Sequence, residues 1–280
     1  MNRVYIVNKP RGLSSHDIVN KARHLLGRKK VGHTGTLDPF ATGVLLILSD
    51  EATKIARFLE AKDKTYVATL RLGIKTDTGD CTGTQIETSN NRPTKGEIEE
   101  VFKGFIGESK QIPPMYSAIK IQGKKLYELA RKGKVVEREP RTIKISSLDL
   151  LNYDGEKIVF KVDCSVGTYI RVLGEDIASK LNTVGHLEEL QRTRIGRWRI
   201  EQAIGYEDIK EDNGIDILEA LQDYPLYKVN KEEEMRVRNG KTLSIPNLGE
   251  EIVIVNEEEK LLAIYYLKDN NYYCLRGFNL

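Results

Sequence analysis

One carboxylate, Asp38, stands in GHTGTLDPFATGVL (residues 32–45) among three glycines, three threonines and a proline. A second chemistry-bearing segment, GTYIR (residues 167–171), brings Tyr169 and Arg171 just past a strand-like run. Hydrolysis of a glycosidic bond ordinarily uses two carboxylates, one of which protonates the leaving group. A lone carboxylate suits a leaving group that delocalises its own negative charge. On these residues alone, Asp38 reads equally as the cap of a turn, the commoner role of an aspartate in a glycine-rich loop.

Other chemistries find little support. Cys81, Cys164 and Cys274 are odd in number, far apart and without a Cys-x-x-Cys pair, so reduced thiols are expected rather than disulfides or a zinc site. His16 and His24 fall on one predicted helix but roughly 12 Å apart along its axis, too far to share a metal. Asp77, Asp80 and Gly83 in KTDTGDCTGT echo the start of a calcium loop but lack its later ligands, so a turn is expected. No metal is predicted.

The elements that must position these residues follow from periodicity. Apolar Tyr5–Val7 begins a strand that stops at NKPRG, and Ser14 or Ser15 caps a helix carrying Ile18, Val19, Ala22, Leu25 and Leu26 and ending at Gly27. Residues 32–45 follow as an irregular loop leading into VLLIL, a buried strand. A helix is predicted over about 51–61, then a strand in KTYVATLRLG with Tyr66, Ala68 and Leu70 alternating. Thr94 caps an amphipathic helix to about residue 105. A loop, a strand around 116–121, a turn at Gln122-Gly123 and a short basic helix come next. The runs IKISSLDLLNY and KIVFKVDCSV form an antiparallel hairpin about Asp154-Gly155, and Ile170, Leu173, Ile177 and Leu181 align on a helix. After Pro225 short strand-like pieces predominate.

At 280 residues the chain can bury a full core, and no apolar run approaches the roughly 20 residues that span a bilayer. The start lacks the pattern of a secretory leader, so a cytoplasmic protein is expected. Net charge is only +3, from 44 basic and 41 acidic residues, but it is unevenly spread. Residues 1–40 carry an excess of six positive charges, and further basic stretches lie at 124–141 and in QRTRIGRWRI (191–200). Segregated basic surface is the footprint of a polyanion partner, although each cluster alone also reads as a solvated face.

Five ordered blocks, NKPRGLSSHD, GHTGTLDPFATGVL, KTYVATLRLGIKTDTGD, QIPPMYSAIKIQGKKLYELARKG and SVGTYIRVLGEDI, together resemble the bacterial tRNA pseudouridine-55 synthases of the TruB family over residues 4–199. The terminal segment, with RNGKTLSIP and LLAIYYL, resembles a short PUA domain. The resemblance implies an α+β pseudouridine-synthase fold: a mixed, mostly antiparallel sheet flanked by helices, crossed by the active-site cleft, with a small C-terminal all-β PUA-like module. It implies a catalytic domain over 1–224 with an RNA-contacting insertion at 111–133, and the module over 225–280.

The implied reaction isomerises the T-loop uridine at position 55 by breaking N1–C1′, rotating the base and rejoining the ribose at C5, with no cofactor. Asp38 then corresponds to the essential aspartate and Arg171 to the cation that keeps it ionised. Tyr66 matches the tyrosine that stacks on the base and whose phenol can assist a proton transfer. Tyr169 and Leu190 match pocket walls, Leu190 otherwise reading as plain helix core. His33 matches a histidine inserted into the T-loop where the uridine leaves it, which offsets part of the cost of base flipping. Lys9 and Pro10 match a pair framing the pocket floor, and Asp80 an acid near the arginine. A monomer acting on the tRNA T-arm, with no membrane partner, is the implied form. Two alternatives are a tRNA folding helper with secondary catalysis and a pseudouridine synthase acting on another RNA.

Overall fold

The computed structural model describes residues 2–279 except 118, 122 and 131. Its first strand, β1 (Arg3–Lys9), leads to helix α1 (Ser15–Leu26). Ser14 and Asp17 cap the start of α1 reciprocally, and Gly27, at φ 62°, ends it. Strands β2 (Val31–Thr34) and β3 (Thr42–Ser49) then pair antiparallel, Val31 opposite Ser49. The segment predicted as one irregular loop is therefore a hairpin. His33 lies on its first strand, Val44 and Leu45 lie on its second, and only residues 35–41 are irregular.

Strand β3 explains why VLLIL is apolar without alternation. Val44, Leu46 and Leu48 face a cluster containing Ala52, Phe58 and Val253, while Leu45 and Ile47 face Ile18, Val19 and Ala22 of α1. A strand covered on both sides needs apolar residues at every position.

Next come β4 (Lys64–Leu72), α2 (Lys95–Lys103), β5 (Gly107–Gln111), β6 (Arg141–Tyr153), β7 (Lys157–Cys164), α3 (Ile170–Lys180) and β8 (Gly185–Ile195). The path across the main sheet runs from the short strand Ile204–Gly205 through β1, β3, β8, β4, β7, β6 and β5. Only β1 with residues 204–205 and β3 with β8 pair parallel along it, so the sheet is mixed and mostly antiparallel. Tyr66, Ala68, Leu70 and Leu72 of β4 point to one face, where they pack on Ile170, Leu173 and Ile177 of α3 and on Ile98 and Phe102 of α2.

Four local expectations change. The helix over 51–61 divides into a 3-10 segment, Asp50–Ile55, and a short α-helix, Ala56–Glu60. Within the first, the Thr53 hydroxyl donates to the Asp50 carbonyl three residues back, a bond that suits the tighter winding. GESKQ, expected as loop, is the edge strand β5, whose charged side chains are what an exposed edge tolerates. Leu190 lies on β8, not a helix. Of the strand expected over 116–121, only Lys120–Ile121 is extended, pairing with Lys124–Lys125; residues 115–117 bend instead, Ser117 N donating to the Met115 carbonyl at 3.0 Å. Ala118 and Gln122, which that strand and its turn included, lie outside the described residues, as does Arg131 after the short helix Leu126–Ala130.

The C-terminal segment forms a four-stranded sheet of β9 (Leu226–Lys228), β10 (Glu251–Val255), β11 (Leu261–Lys268) and β12 (Asn271–Gly277). One helix, α4 (Lys231–Arg238), accompanies it and buries Val237 against Tyr265 and Tyr272. The sheet's other face, through Val253, Val255 and Ile264, joins the core beneath β3. Among the described residues no helix is long and apolar enough to cross a membrane.

Candidate active site

Residues 35–41 hold Asp38 by fastenings on several sides. The Ser15 hydroxyl accepts from Leu37 N at 2.8 Å and donates to Leu37 O at 3.1 Å, and Gly12 N donates to Pro39 O at 2.8 Å. Lys9 Nζ reaches the carbonyls of Pro10, Leu13 and Pro39 at 2.9, 2.7 and 3.4 Å. Gly35, at φ 64°, supplies the left-handed backbone that turns the chain out of β2.

Opposite the loop, Tyr169 precedes α3 and Arg171 lies in its first turn. Arg171 is 4% exposed, and its Nε lies 2.9 Å from Asp38 Oδ2. Its other nitrogens meet the Thr78 carbonyl at 2.7 Å, the Tyr116 carbonyl at 2.6 Å and Asp80 Oδ2 at 3.7 Å. One guanidinium thus joins the Asp38 loop, the turn at 77–83 and the 112–117 segment. Its planar fork can do so where a single ammonium cannot.

Above the pair opens a cleft of about 360 Å³ walled by Tyr66, Tyr169, Leu190, Lys64 and Arg141. An adjoining hollow of about 550 Å³ shares Asp38 and Arg171 and adds His16, His33, Phe40 and Asp80. Six of the sequence-predicted site residues therefore converge on Asp38: Tyr66, Tyr169, Arg171 and Leu190 in the cleft, His33 and Asp80 in the hollow. Lys9 and Pro10 line neither cavity. Lys9 is instead fully buried behind the loop, holding its carbonyls. A larger open groove, about 690 Å³, lies on the opposite face of β4, where Asp63, Asp163 and Glu201 balance Lys161, Arg194 and Arg199.

The electrostatics follow from burial. Water reaches about a third of the Asp38 side chain, yet the walls of the cleft strip away enough solvent to raise its carboxyl above the usual carboxylate value. Arg171 opposes that rise and Asp80 adds to it. The resemblance implies that Arg171 carries the larger weight; in the structure dehydration outweighs it, and the ion pair limits the rise. Burial raises the Tyr66 phenol as well. It pushes His33 down to about 4, with help from Arg192 and His16. Burial likewise lowers Lys9 and Lys64 to about 8, with Arg192 adding like-charge repulsion in both cases.

Arg192 and Lys64 are the residues that sequence reasoning missed. QRTRIGRWRI reads as surface cations for RNA, but Arg192 is 1% exposed and Arg194 pairs with Asp163 at 2.7 Å. The signal was present: on a strand, Arg192 shares the face of Leu190 two residues earlier. The N-terminal basic excess is also partly neutralised, Arg3 by Asp216, Arg28 by Glu211 and Asp50, and Lys30 by Glu51. The C-terminal segment from residue 225 carries eight Lys and Arg against nine Asp and Glu, so it presents no net positive charge.

A cleft on a large mixed sheet, holding Asp38 against a buried guanidinium between two tyrosines, defines a site shaped for a planar ring. The same fold occurs in a chain of the crystal structure of a Cbf5-Nop10-Gar1 complex, with TM-score 0.76 and 24% identity, covering 99% of this chain and 84% of that one. The model of the TruB family pseudouridylate synthase N-terminal domain matches residues 23–170. A Bacillus cereus protein named tRNA pseudouridine synthase B is 41% identical over 283 residues, 95% of this chain and 92% of the relative. Another of that name from Aromatoleum aromaticum is 49% identical over 201 residues, 72% of this chain and 65% of the relative. The chain belongs to the TruB family of pseudouridine synthases.

Proposed function

We propose that the chain isomerises the T-loop uridine at position 55 of tRNA to pseudouridine, with Asp38 as the essential carboxylate. The observation that carries this reading is the Asp38–Arg171 contact of 2.9 Å at the base of a cleft walled by Tyr66, in a chain whose relatives are named tRNA pseudouridine synthase B.

The flipped uracil enters the cleft with its face on Tyr66 and its edge against Leu190, and Arg171 fixes the carboxylate beside the ribose and the base. Asp38 acts as the carboxylate. Breaking N1–C1′ leaves uracil as an anion whose charge spreads over its ring and carbonyls, so no second acid is needed to release it. Bond formation between C1′ and C5 is followed by loss of the C5 proton, and N1 takes one up. The products balance the substrate atom for atom. His33, at the rim of the adjoining hollow and neutral above about pH 4, fills the place the uridine vacates. Arg141 at the cleft mouth meets backbone phosphate, as expected where an RNA loop is gripped by shape and charge. Both halves of the acid–cation pair come from one chain, so a monomer is sufficient, and a tRNA substrate calls for the cytoplasm.

The test is pseudouridine formation on transcribed tRNA, mapped by carbodiimide labelling and primer extension. Wild type should modify the T-loop uridine, and Asp38→Asn should be slower by at least roughly a hundredfold. Formation at near wild-type rate by Asp38→Asn, or modification elsewhere in the tRNA with the T-loop untouched, would sink the assignment.

A further inference from the structure

Arg192 is a large side chain buried in the sheet, and no carboxylate lies within ion-pair distance of it among the described residues. Such a charge is costly unless hydrogen bonds compensate it. Its bonds run to the segments that frame Asp38. Nε donates to Val44 O at 2.8 Å, just after the loop, and one terminal nitrogen donates to Gly35 O at 2.9 Å, at its start.

The backbone is as tightly placed. In β8, Arg192 stands opposite Gly43 of β3 and opposite Tyr66 of β4, so it bridges the two strands that carry the loop and the tyrosine. A methyl group on Gly43 would lie 2.2 Å from the Arg192 carbonyl oxygen, a contact only glycine permits. The guanidinium also lines the cleft together with the Tyr66 ring.

We propose that Arg192 is a positioning residue of the active site: its buried guanidinium ties both ends of the Asp38 loop to β8, which pairs at this residue with Tyr66 of β4, so that carboxylate and stacking ring keep one fixed separation. It is not a cation that grips RNA. The proposal rests on the reading of the site given above. A lysine in its place keeps the charge but lacks the rigid fork that holds the two carbonyls at one spacing, and a carboxylate displaced by about 1 Å can lose on the order of a hundredfold in rate.

Two measurements on the full chain test this. Arg192→Lys should bind tRNA within about twofold of wild type, while its single-turnover rate of pseudouridine formation falls roughly tenfold to a hundredfold. A wild-type rate would overturn the proposal. So would a loss of binding as large as the loss of rate, which marks an RNA-gripping cation. The second measurement needs neither activity nor a folded Arg192 variant. In wild type the Arg192 Nε–H, bonded to the Val44 carbonyl, should be protected from solvent exchange. A freely exchanging resonance would show that the tie does not exist. If wild type makes no pseudouridine at all, the functional reading fails, whereas the resonance experiment still decides the wiring.

Discussion

Replacing Arg171 with lysine keeps a positive charge and removes the fork. Arginine meets Asp38, the Thr78 carbonyl and the Tyr116 carbonyl at 2.9, 2.7 and 2.6 Å from three different nitrogens. A lysine ammonium can occupy one of those places. Two charge-assisted bonds to carbonyls are lost, each about 1.5 kcal/mol. The contact to Asp38 is discounted because a third of that side chain meets water. A total of about 3 kcal/mol should lower the melting temperature by roughly 6–12 °C in a chain of this size. The kinetic consequence has a definite sign. Arg171 is what most restrains the rise of the Asp38 carboxyl, and an ammonium on a flexible stem, no longer anchored by the Thr78 and Tyr116 carbonyls, holds the carboxylate less closely, so burial and Asp80 act less opposed. The acid limb of the rate profile should therefore move to higher pH. Release of tritium from C5-labelled uridine in tRNA, followed in single turnovers from pH 4 to 8, measures it. An acid limb that stayed in place, or moved to lower pH, would refute the account of how Asp38 is charged.

Lys9 offers a pH test of the loop's anchorage. Its folded value of about 8 lies below the usual 10.5, so below pH 8 the buried charge costs stability, and that cost fades between pH 8 and 10.5. Wild type should thus gain on Lys9→Met over that window by on the order of 2–3 kcal/mol in urea denaturation, and a constant difference would contradict it. Gly43→Ala combines φ 105° with a methyl 2.2 Å from the Arg192 carbonyl, so it should cost more than about 3 kcal/mol and leave little soluble protein. A variant melting like wild type would mean that β3 and β8 can part there.

Much of this molecule is legible in its chain. Capping signals place α1 and α2, alternation places β4 and the β6–β7 hairpin, and the ordered blocks bring Asp38, Tyr66 and Arg171 into one expected site. These are local patterns, set by backbone propensity and by which face of an element is apolar. What local pattern could not decide was anything set by a neighbour remote in sequence. GESKQ becomes a strand because β6 offers its edge, and Leu190 sits on a strand because β3 and β4 leave a gap between them for β8. Arg192 reads as a surface cation because a long basic side chain is usually solvated, and Lys9 reads as part of a basic surface or, by resemblance, of the pocket floor. Folding instead encloses both among backbone carbonyls that no local pattern could have assigned to them. The upward shift of Asp38 has the same origin: sequence named its cation, but only the closing of the cleft set how much water the carboxylate would lose.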